Sequence, residues 1–205
     1  MKFIIGIDEA GRGPLAGPVT VGAFSGEERV GKWIVKHIFN TKLRDSKKLS
    51  HNKREEIYKQ LLELKLAGKV DFAIAHSTPK IIDKIGISKA IKNCIKSSLS
   101  KLTKMSDRTK LLIRLDGLLK APQEFKNQKT IIKGDGKDVF IACASIVAKV
   151  TRDRLMCKLA QKYPHYSLEI HKGYGTKIHR DLIRKFGLSE AHRKCFCKKL
   201  TGFDK

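Results

Sequence analysis

Phe3-Ile4-Ile5-Gly6-Ile7-Asp8-Glu9-Ala10-Gly11-Arg12-Gly13-Pro14 decides how the rest of the chain is read: an apolar run ends in two adjacent acids and passes at once into a glycine turn. A strand that ends this way cannot hide both acids in a core, because a buried unpaired carboxylate costs far more than one strand contributes. A cationic partner is therefore expected at Asp8 and Glu9. The turn at Gly11 and Gly13 lets backbone amides come close to a bound group, as a phosphate or sugar contact requires. The same layout returns at Leu111-Leu112-Ile113-Arg114-Leu115-Asp116-Gly117. If the two strands run parallel and adjacent, joined by intervening helices, their carboxyl ends share one edge of the sheet. Asp8 and Asp116 are then neighbours. Asp135, in Lys133-Gly134-Asp135-Gly136 between a further strand and a helix, projects towards the same edge.

Like charges held close together raise one another's pKa, so such a cluster is unfavourable until a hard divalent cation neutralises it. Mg²⁺ or Mn²⁺ is the expected guest, since oxygen ligands without a nearby His or Cys argue against zinc. Two such ions about 3.5–4 Å apart can activate a water and stabilise the leaving oxygen of an in-line phosphoryl displacement. A single strand-end Asp is more often a turn former than a ligand. Asp83, Asp107 and Asp153 are assigned to turns or ion pairs. The repeated layout separates Asp8, Glu9 and Asp116 from that group, whereas Asp135 also fits a cap on its own glycine turn, with Asp138 capping the helix that follows.

The 205 residues carry 44 Lys and Arg against 20 Asp and Glu, a formal charge of +24. Such an excess calls for a polyanionic partner. Nucleic acid fits better than a membrane, because neither a long apolar span nor a basic helix with an aromatic face is visible. The length suits one sizeable domain, able to bury about 70% of its unfolded surface without staples. Five cysteines, with no C-x-x-C pair, fit free thiols in a reducing compartment. Cys195 and Cys197 read as two ordinary thiols rather than a metal site. The opening apolar run is too short for a signal peptide, and acids follow it immediately, so the cytoplasm is the expected location.

The organisation reads as mixed α/β without internal repeats. Strands are predicted at Lys2 to Ile7, Val19 to Phe24, Val70 to His76, Leu111 to Leu115 and Thr130 to Lys133. A helix is predicted from Ser50 to Leu66, with Ser50 as its cap and Ile57, Leu61 and Leu64 at helical spacing. A second runs from about Pro79 to Lys101, with Ile81, Ile85, Ile91 and Ile95 as its buried stripe. A third starts near Asp138 and carries Ile141, Ala144, Ser145, Ala148 and Thr151 on one face, small residues suited to close packing on a sheet. From His171 onward ten Lys or Arg face three acids, a local net of +7, which marks this tail as a clamp for a polyanion or else a solvated basic face. Gly11-x-Gly13-x-x-Ala16 imitates a dinucleotide fingerprint, but Pro14 and Pro18 lead into the alternating Val19-Thr20-Val21-Gly22-Ala23-Phe24 where that motif needs a helix.

Taken together, these segments resemble the ribonuclease HII family. Gly6-Ile7-Asp8-Glu9-Ala10-Gly11-Arg12-Gly13-Pro14-Leu15-Ala16-Gly17-Pro18-Val19 is similar to its opening signature, and Asp45-Ser46-Lys47-Lys48-Leu49 resembles its second motif. Asp116-Gly117 looks like the third. Lys133-Gly134-Asp135, with Ala144-Ser145-Ile146-Val147-Ala148-Lys149-Val150 and Arg152-Asp153, looks like the fourth, and His171-Lys172-Gly173-Tyr174-Gly175-Thr176 and His192-Arg193 complete the order. Departures are few: Cys143 stands where alanine is usual, and residues 27–44 match no strong motif. The sister type, ribonuclease HIII, usually shows lysine at the place of Arg12, a glutamate as its last acid, and an added N-terminal domain for which this chain has no room.

The resemblance implies a ribonuclease H-like mixed five-stranded sheet flanked by helices: a catalytic domain over residues 1–165 and a basic helical C-terminal extension over 166–205. It implies an endonuclease acting 5′ to a ribonucleotide, in RNA·DNA hybrids or at a single ribonucleotide in duplex DNA, and leaving a 5′-phosphate and a 3′-hydroxyl. Asp8, Glu9, Asp116 and Asp135 are then the catalytic acids, with Asp8, Glu9 and Asp116 as ligands of Mn²⁺ or Mg²⁺ and Asp135 serving the second ion or the water. Gly11, Arg12 and Gly13 fall to the ribose 2′-hydroxyl and scissile phosphate, Tyr174 to the sugar at the junction, and Lys47 to backbone phosphate, as do Lys172 and Lys177. A monomer suffices for all of this. Two alternatives stay open: a non-catalytic basic nucleic-acid-binding protein, and another nuclease of the same fold such as a junction resolvase.

Overall fold

The computed structural model of the chain describes residues 3–41, 43, 49–103 and 111–201. The motif at Asp45 to Lys48, including Lys47, and the predicted turn acid Asp107 lie outside the described residues. Five strands, β1 (Phe3–Ala10), β2 (Val19–Glu27), β3 (Val70–Ser77), β4 (Leu112–Asp116) and β5 (Gln128–Ile131), form one sheet in the order β3-β2-β1-β4-β5. β1, β2 and β3 pair antiparallel in sequence, whereas β4 joins β1 in parallel and β5 joins β4 in parallel. All five predicted strands are present, extended or trimmed by a few residues at their ends.

Helices cover both faces. On one, α3 (Pro79–Ile85) and α4 (Ile87–Leu102) bring Ile82, Ile91, Ile95 and Leu99 onto Ile5, Ile7, Val21, Ile113 and Leu115. On the other, α1 (Glu28–His37), α2 (His51–Leu66) and α5 (Val139–Lys162) meet Ile4, Phe24 and Phe72. Each fully buried Ile or Phe among them contributes about 1.5–3 kcal/mol, which is what holds the layers together. Ser50 caps α2 by accepting from the Lys53 amide at 3.2 Å, and Asp138 caps α5 by accepting from the Phe140 and Ile141 amides at 3.0 and 3.2 Å. The single helix predicted from Pro79 to Lys101 is two helices, because Gly86 turns to φ +79° between them. That break resets the helical phase, so Ile82 is buried and Ile81 is exposed. α1 was not anticipated from its sequence.

The α5 helix crosses the sheet at van der Waals limit. A Cβ on Gly6 would lie 2.1 Å from the Phe140 carbonyl carbon, and one on Gly22 would lie 2.4 Å from the Ala144 oxygen. The small residues read on this helix are thus matched by two strand glycines.

Beyond α5 the chain forms α6 (Leu168–His171), α7 (Lys177–Phe186) and α8 (Lys194–Thr201), which fold back on the loop between β1 and β2. Ala16, Met156, Ala160, Tyr166, Leu168 and Ala191 make a small core there, and Ala16 pairs with His192 in an isolated bridge. Asp83 caps α8 by accepting from the Lys194 and Cys195 amides, both at 3.0 Å. Three histidines meet in this region, His171 stacked on His179 and His192 tilted against it: Gly173 N–H donates to His171 Nδ1, and the Ser189 amide donates to His192 Nδ1, which leaves the far nitrogens of both rings to donate. His192 Nε2 then faces His179 Nε2 at 3.1 Å, and His179 Nδ1 donates to the Tyr174 carbonyl at 2.9 Å. All five cysteines are free thiols, and among the described residues no helix is long and apolar enough to cross a membrane.

The close crossing predicts that Gly6→Ala lowers stability by about 1–3 kcal/mol, since the added methyl meets backbone rather than a side chain that can swing away. Denaturant unfolding measures it, and an unchanged midpoint would show that α5 does not approach β1 so closely.

Candidate active site

Strand alternation decides where the acids point. Along β1, Ile5 and Ile7 join the core under α4, so Ile4, Gly6 and Asp8 face α5. Along β4, Ile113 and Leu115 face α4, which turns Leu112, Arg114 and Asp116 towards α5. The register pairs Gly6 with Arg114 and Ile7 with Leu115, so Asp8 and Asp116 come one residue beyond the last pair, on the same face and at the same edge. The parallel, adjacent arrangement expected from the sequence is the one observed.

Asp8 is only 5% exposed. Burial pushes its carboxyl well above the usual carboxylate range, a hydrogen bond from Ser145 on α5 opposes the shift, and the negative charges of Asp116 and Glu9 add to it. One Asp8 oxygen also accepts the Glu9 amide at 2.7 Å. Glu9 is raised as well, first by burial; the guanidinium of Arg12 pulls it back, and Asp116 raises it again. Asp116 Oδ1 accepts the Gly134 amide at 2.6 Å, which ties it to the one-turn 3-10 helix Gly134–Gly136. Asp135 is buried in that same turn. Asp138 does not join these acids, because it caps α5 and pairs with Arg114 at 2.5 Å. Asp153 pairs with Lys149 at 3.0 Å, as an ordinary ion pair.

The structure thus brings Asp8, Glu9 and Asp116 within electrostatic reach of one another and places Asp135 in the turn that holds Asp116. Among the described residues no three His, Cys, Asp or Glu side chains close into a finished ligand set. Their chemistry nevertheless suits a hard cation: all donors are oxygen, and the burial and mutual repulsion that raise Asp8 and Glu9 both penalise bare negative charge, which a divalent cation offsets. Among the described residues the Arg12–Glu9 contact at 3.2 Å is the one ion pair in the way, and the Arg12 side chain is 54% exposed. An exposed pair of this kind is worth about 0–1 kcal/mol and is readily exchanged for a stronger cation.

The remaining predicted contacts surround the acids. Gly11 turns at φ +84°, and Arg12 and Gly13 are exposed. Tyr174 is 44% exposed, with the Arg152 guanidinium 5.9 Å from its ring centre. Its loop is stitched to the glycine turn by the Leu15 amide, which donates to the Gly173 carbonyl at 2.9 Å. Ser145, Arg152 and Arg193 acquire positions that sequence reading did not give them; they stood inside quoted motifs, yet nothing local distinguished them from packing or surface residues. A groove of about 960 Å³ between α3, α7 and α8 is lined by Asp83 but by none of Asp8, Glu9, Asp116 and Asp135.

The raised Asp8 and Glu9 give a signed pH dependence. In the folded state without metal each holds its proton to higher pH than in the unfolded chain, so the contribution of these two groups to stability is fully present below the unfolded-chain value and is lost as pH rises through the folded-state value. Asp8→Asn is expected to flatten that fall and to raise the melting temperature near neutral pH in EDTA. Calorimetry across pH checks it; an undiminished fall in the variant would contradict a raised Asp8 carboxyl.

Comparisons with known proteins identify the family and the fold. The family model described as Ribonuclease HII matches residues 5–199. A Ribonuclease HII of Caldicellulosiruptor bescii is 41% identical over 199 residues, covering 97% of this chain and 88% of that protein. One of Fusobacterium nucleatum subsp. nucleatum is 42% identical over 200 residues, covering 97% and 87%. Among solved structures, the ribonuclease H2 from Pyrococcus horikoshii OT3 superposes with a TM-score of 0.73 at 24% identity, over 98% of this chain and 97% of that one. Bst-RNase HIII in complex with Mn²⁺ gives 0.75 at 20% identity, over 99% and 70%. These last two show the shared ribonuclease H-like fold. With a match of this breadth behind the paired strand-end acids, the chain belongs to the ribonuclease HII family and is a type 2 ribonuclease H endonuclease.

Proposed function

We propose that the enzyme hydrolyses the phosphodiester on the 5′ side of a ribonucleotide, in RNA·DNA hybrids and at single ribonucleotides in duplex DNA, leaving a 3′-hydroxyl and a 5′-phosphate. The observation that carries this reading is the placement of Asp8 and Asp116 on one face and one edge of the sheet, with Glu9 beside them, on an otherwise strongly basic protein. Asp8, Glu9 and Asp116 would hold divalent ions of the Mg²⁺ or Mn²⁺ class, and Asp135 would serve a second ion or orient the attacking water. Such ions, when bound, supply the positive charge that activates water and stabilises the departing oxygen.

The protein's own groups do the rest. Ser145 holds one orientation of Asp8, and the Gly134 amide holds Asp116, so two of the oxygen donors are fixed in advance. The amides of the Gly11–Gly13 turn and the half-exposed Arg12 meet the scissile phosphate and the 2′-hydroxyl, the group that separates RNA from DNA. Tyr174 lies against the deoxyribose that follows the ribonucleotide, where a further hydroxyl would crowd the ring. Lys47, Lys172 and Lys177 contact backbone phosphate. The basic residues after position 166 act as the clamp on the duplex, attached to the catalytic sheet through the small core around Ala16.

A duplex carrying one ribonucleotide, offered with Mg²⁺, Mn²⁺ or EDTA and mapped to the cut bond, tests the reading: cleavage is expected with either ion and not with EDTA, and intact substrate in every divalent ion would overturn it. Asp116→Asn is expected to lose at least about 10²-fold in cleavage rate while hybrid binding persists; loss of both would make Asp116 a structural residue and favour the non-catalytic alternative. With a footprint of roughly six phosphates, affinity should fall about 10³-fold between 50 and 200 mM salt, and a flat response would contradict the basic clamp. Tyr174→Ala should reduce cleavage at a single ribonucleotide more than binding, and equal loss of the two would leave the ring as a surface contact only.

A further inference from the structure

Arg152 and Arg193 are each fully buried, and among the described residues neither takes part in an ion pair. Their acceptors are backbone carbonyls. Arg193 donates from Nε to Gly17 at 2.9 Å, from Nη1 to Arg12 at 2.9 Å and from Nη2 to Gly11 at 2.6 Å. Arg152 donates from Nε to Pro18 at 2.9 Å and from Nη2 to Ala16 at 3.3 Å and Lys172 at 3.0 Å. Five carbonyls of the stretch from Gly11 to Pro18 are therefore turned inward onto two cations. Burying a guanidinium without a carboxylate costs several kcal/mol, and a well-packed apolar side chain would fill the same space more cheaply. Stability of the fold alone does not account for two of them.

The peptide geometry supplies another account. In a trans peptide the carbonyl of one residue and the N–H of the next point in opposite directions, and no cis bond occurs among the described residues. With the Gly11 and Arg12 carbonyls held against Arg193, the amides of Arg12 and Gly13 face the other way. Both residues are exposed, and among the described residues neither amide donates to a protein acceptor. Two consecutive outward amides form a concavity suited to an anionic oxygen. Gly11 is needed for the close approach from below, since a Cβ there would lie 1.9 Å from Arg152 Nε. Burial and the neighbouring Arg152 bring Arg193 down to about 10, so it stays charged at neutral pH.

We infer that Arg193, backed by Arg152, is a positioning residue for the reaction: it reaches from the C-terminal segment to lock the Gly11–Gly13 turn with its amides aimed at the scissile phosphate and sets a fixed positive charge beneath them. This rests on the proposed phosphate contact of that turn and adds the group that holds it in place. The charge is delivered from inside the fold, where salt screens it little.

Two variants of the full chain test it, Arg193→Lys, which keeps the charge but not the fork, and Arg193→Gln, which keeps donors but not the charge. Thermal unfolding is recorded first, and kinetics are run well below each midpoint. Arg193→Gln is expected to lose about 10²-fold or more in kcat/KM on the ribonucleotide-containing duplex, and Arg193→Lys about tenfold. The preference of Arg193→Gln for that duplex over all-DNA duplex should shrink in direct binding, while Mn²⁺ binding without nucleic acid stays as in the wild type. A folded Arg193→Gln with wild-type preference and rate would overturn the inference, as would equal losses in the two variants that vanish on cooling, or failure of both to fold. Wild-type protein that leaves the ribonucleotide duplex uncut would instead overturn the phosphate reading beneath it, so the two failures are told apart by the wild-type lane alone.

Discussion

The parallel pairing of β1 with β4 is the constraint on which the site depends. Side chains alternate along a strand, so a slip of one residue would turn Asp116 to the α4 face and leave Asp8 alone beneath α5. The register with Gly6 opposite Arg114 prevents this, and two packing facts hold it: Ile5, Ile7, Ile113 and Leu115 share one core, while α5 lies close over Gly6 on the other side. The core thus spends part of its stability on an edge that is electrostatically strained. Asp8 and Glu9 are raised by burial and by their neighbours because the fold fixes them at that edge.

The second constraint comes from the far end of the chain. The loop joining β1 to β2 has little regular structure of its own and takes its shape from Arg152, Arg193, the Gly173 carbonyl and the Ala191 carbonyl. The glycine turn, the Tyr174 loop and the C-terminal helices therefore form one unit around Ala16 and Met156, with His171, His179 and His192 bracing its far side. Acids come from the sheet and the outward amides from the stitched loop. Each is positioned by residues distant in sequence.

What the sequence made legible follows from the range of the forces involved. The repeated layout of strand, acid and glycine at Ile7-Asp8 and Leu115-Asp116 is local, and two local signals with one period imply a shared edge. The caps at Ser50 and Asp138 are equally local. The break at Gly86 could have been read from its glycine, but the isoleucines on both sides keep a helical rhythm that conceals the change of phase. α1 stayed invisible because its only fully covered positions are Gly31 and Ile34, too few for an apolar stripe. Arg152 and Arg193 were illegible for a different reason: in a chain with 44 Lys and Arg nothing local marks two of them as buried, and their partners are carbonyls up to 182 residues away.

The most direct measurement is the position of bound Mn²⁺ in crystals of the wild-type enzyme, located by its anomalous scattering. The account predicts a peak at the carboxyl end of β1 and β4 with oxygens of Asp8, Glu9 and Asp116 as ligands and the Arg12–Glu9 pair opened. Manganese bound only elsewhere, or an intact Arg12–Glu9 pair with no ion between the two strand ends at saturating metal, would contradict it.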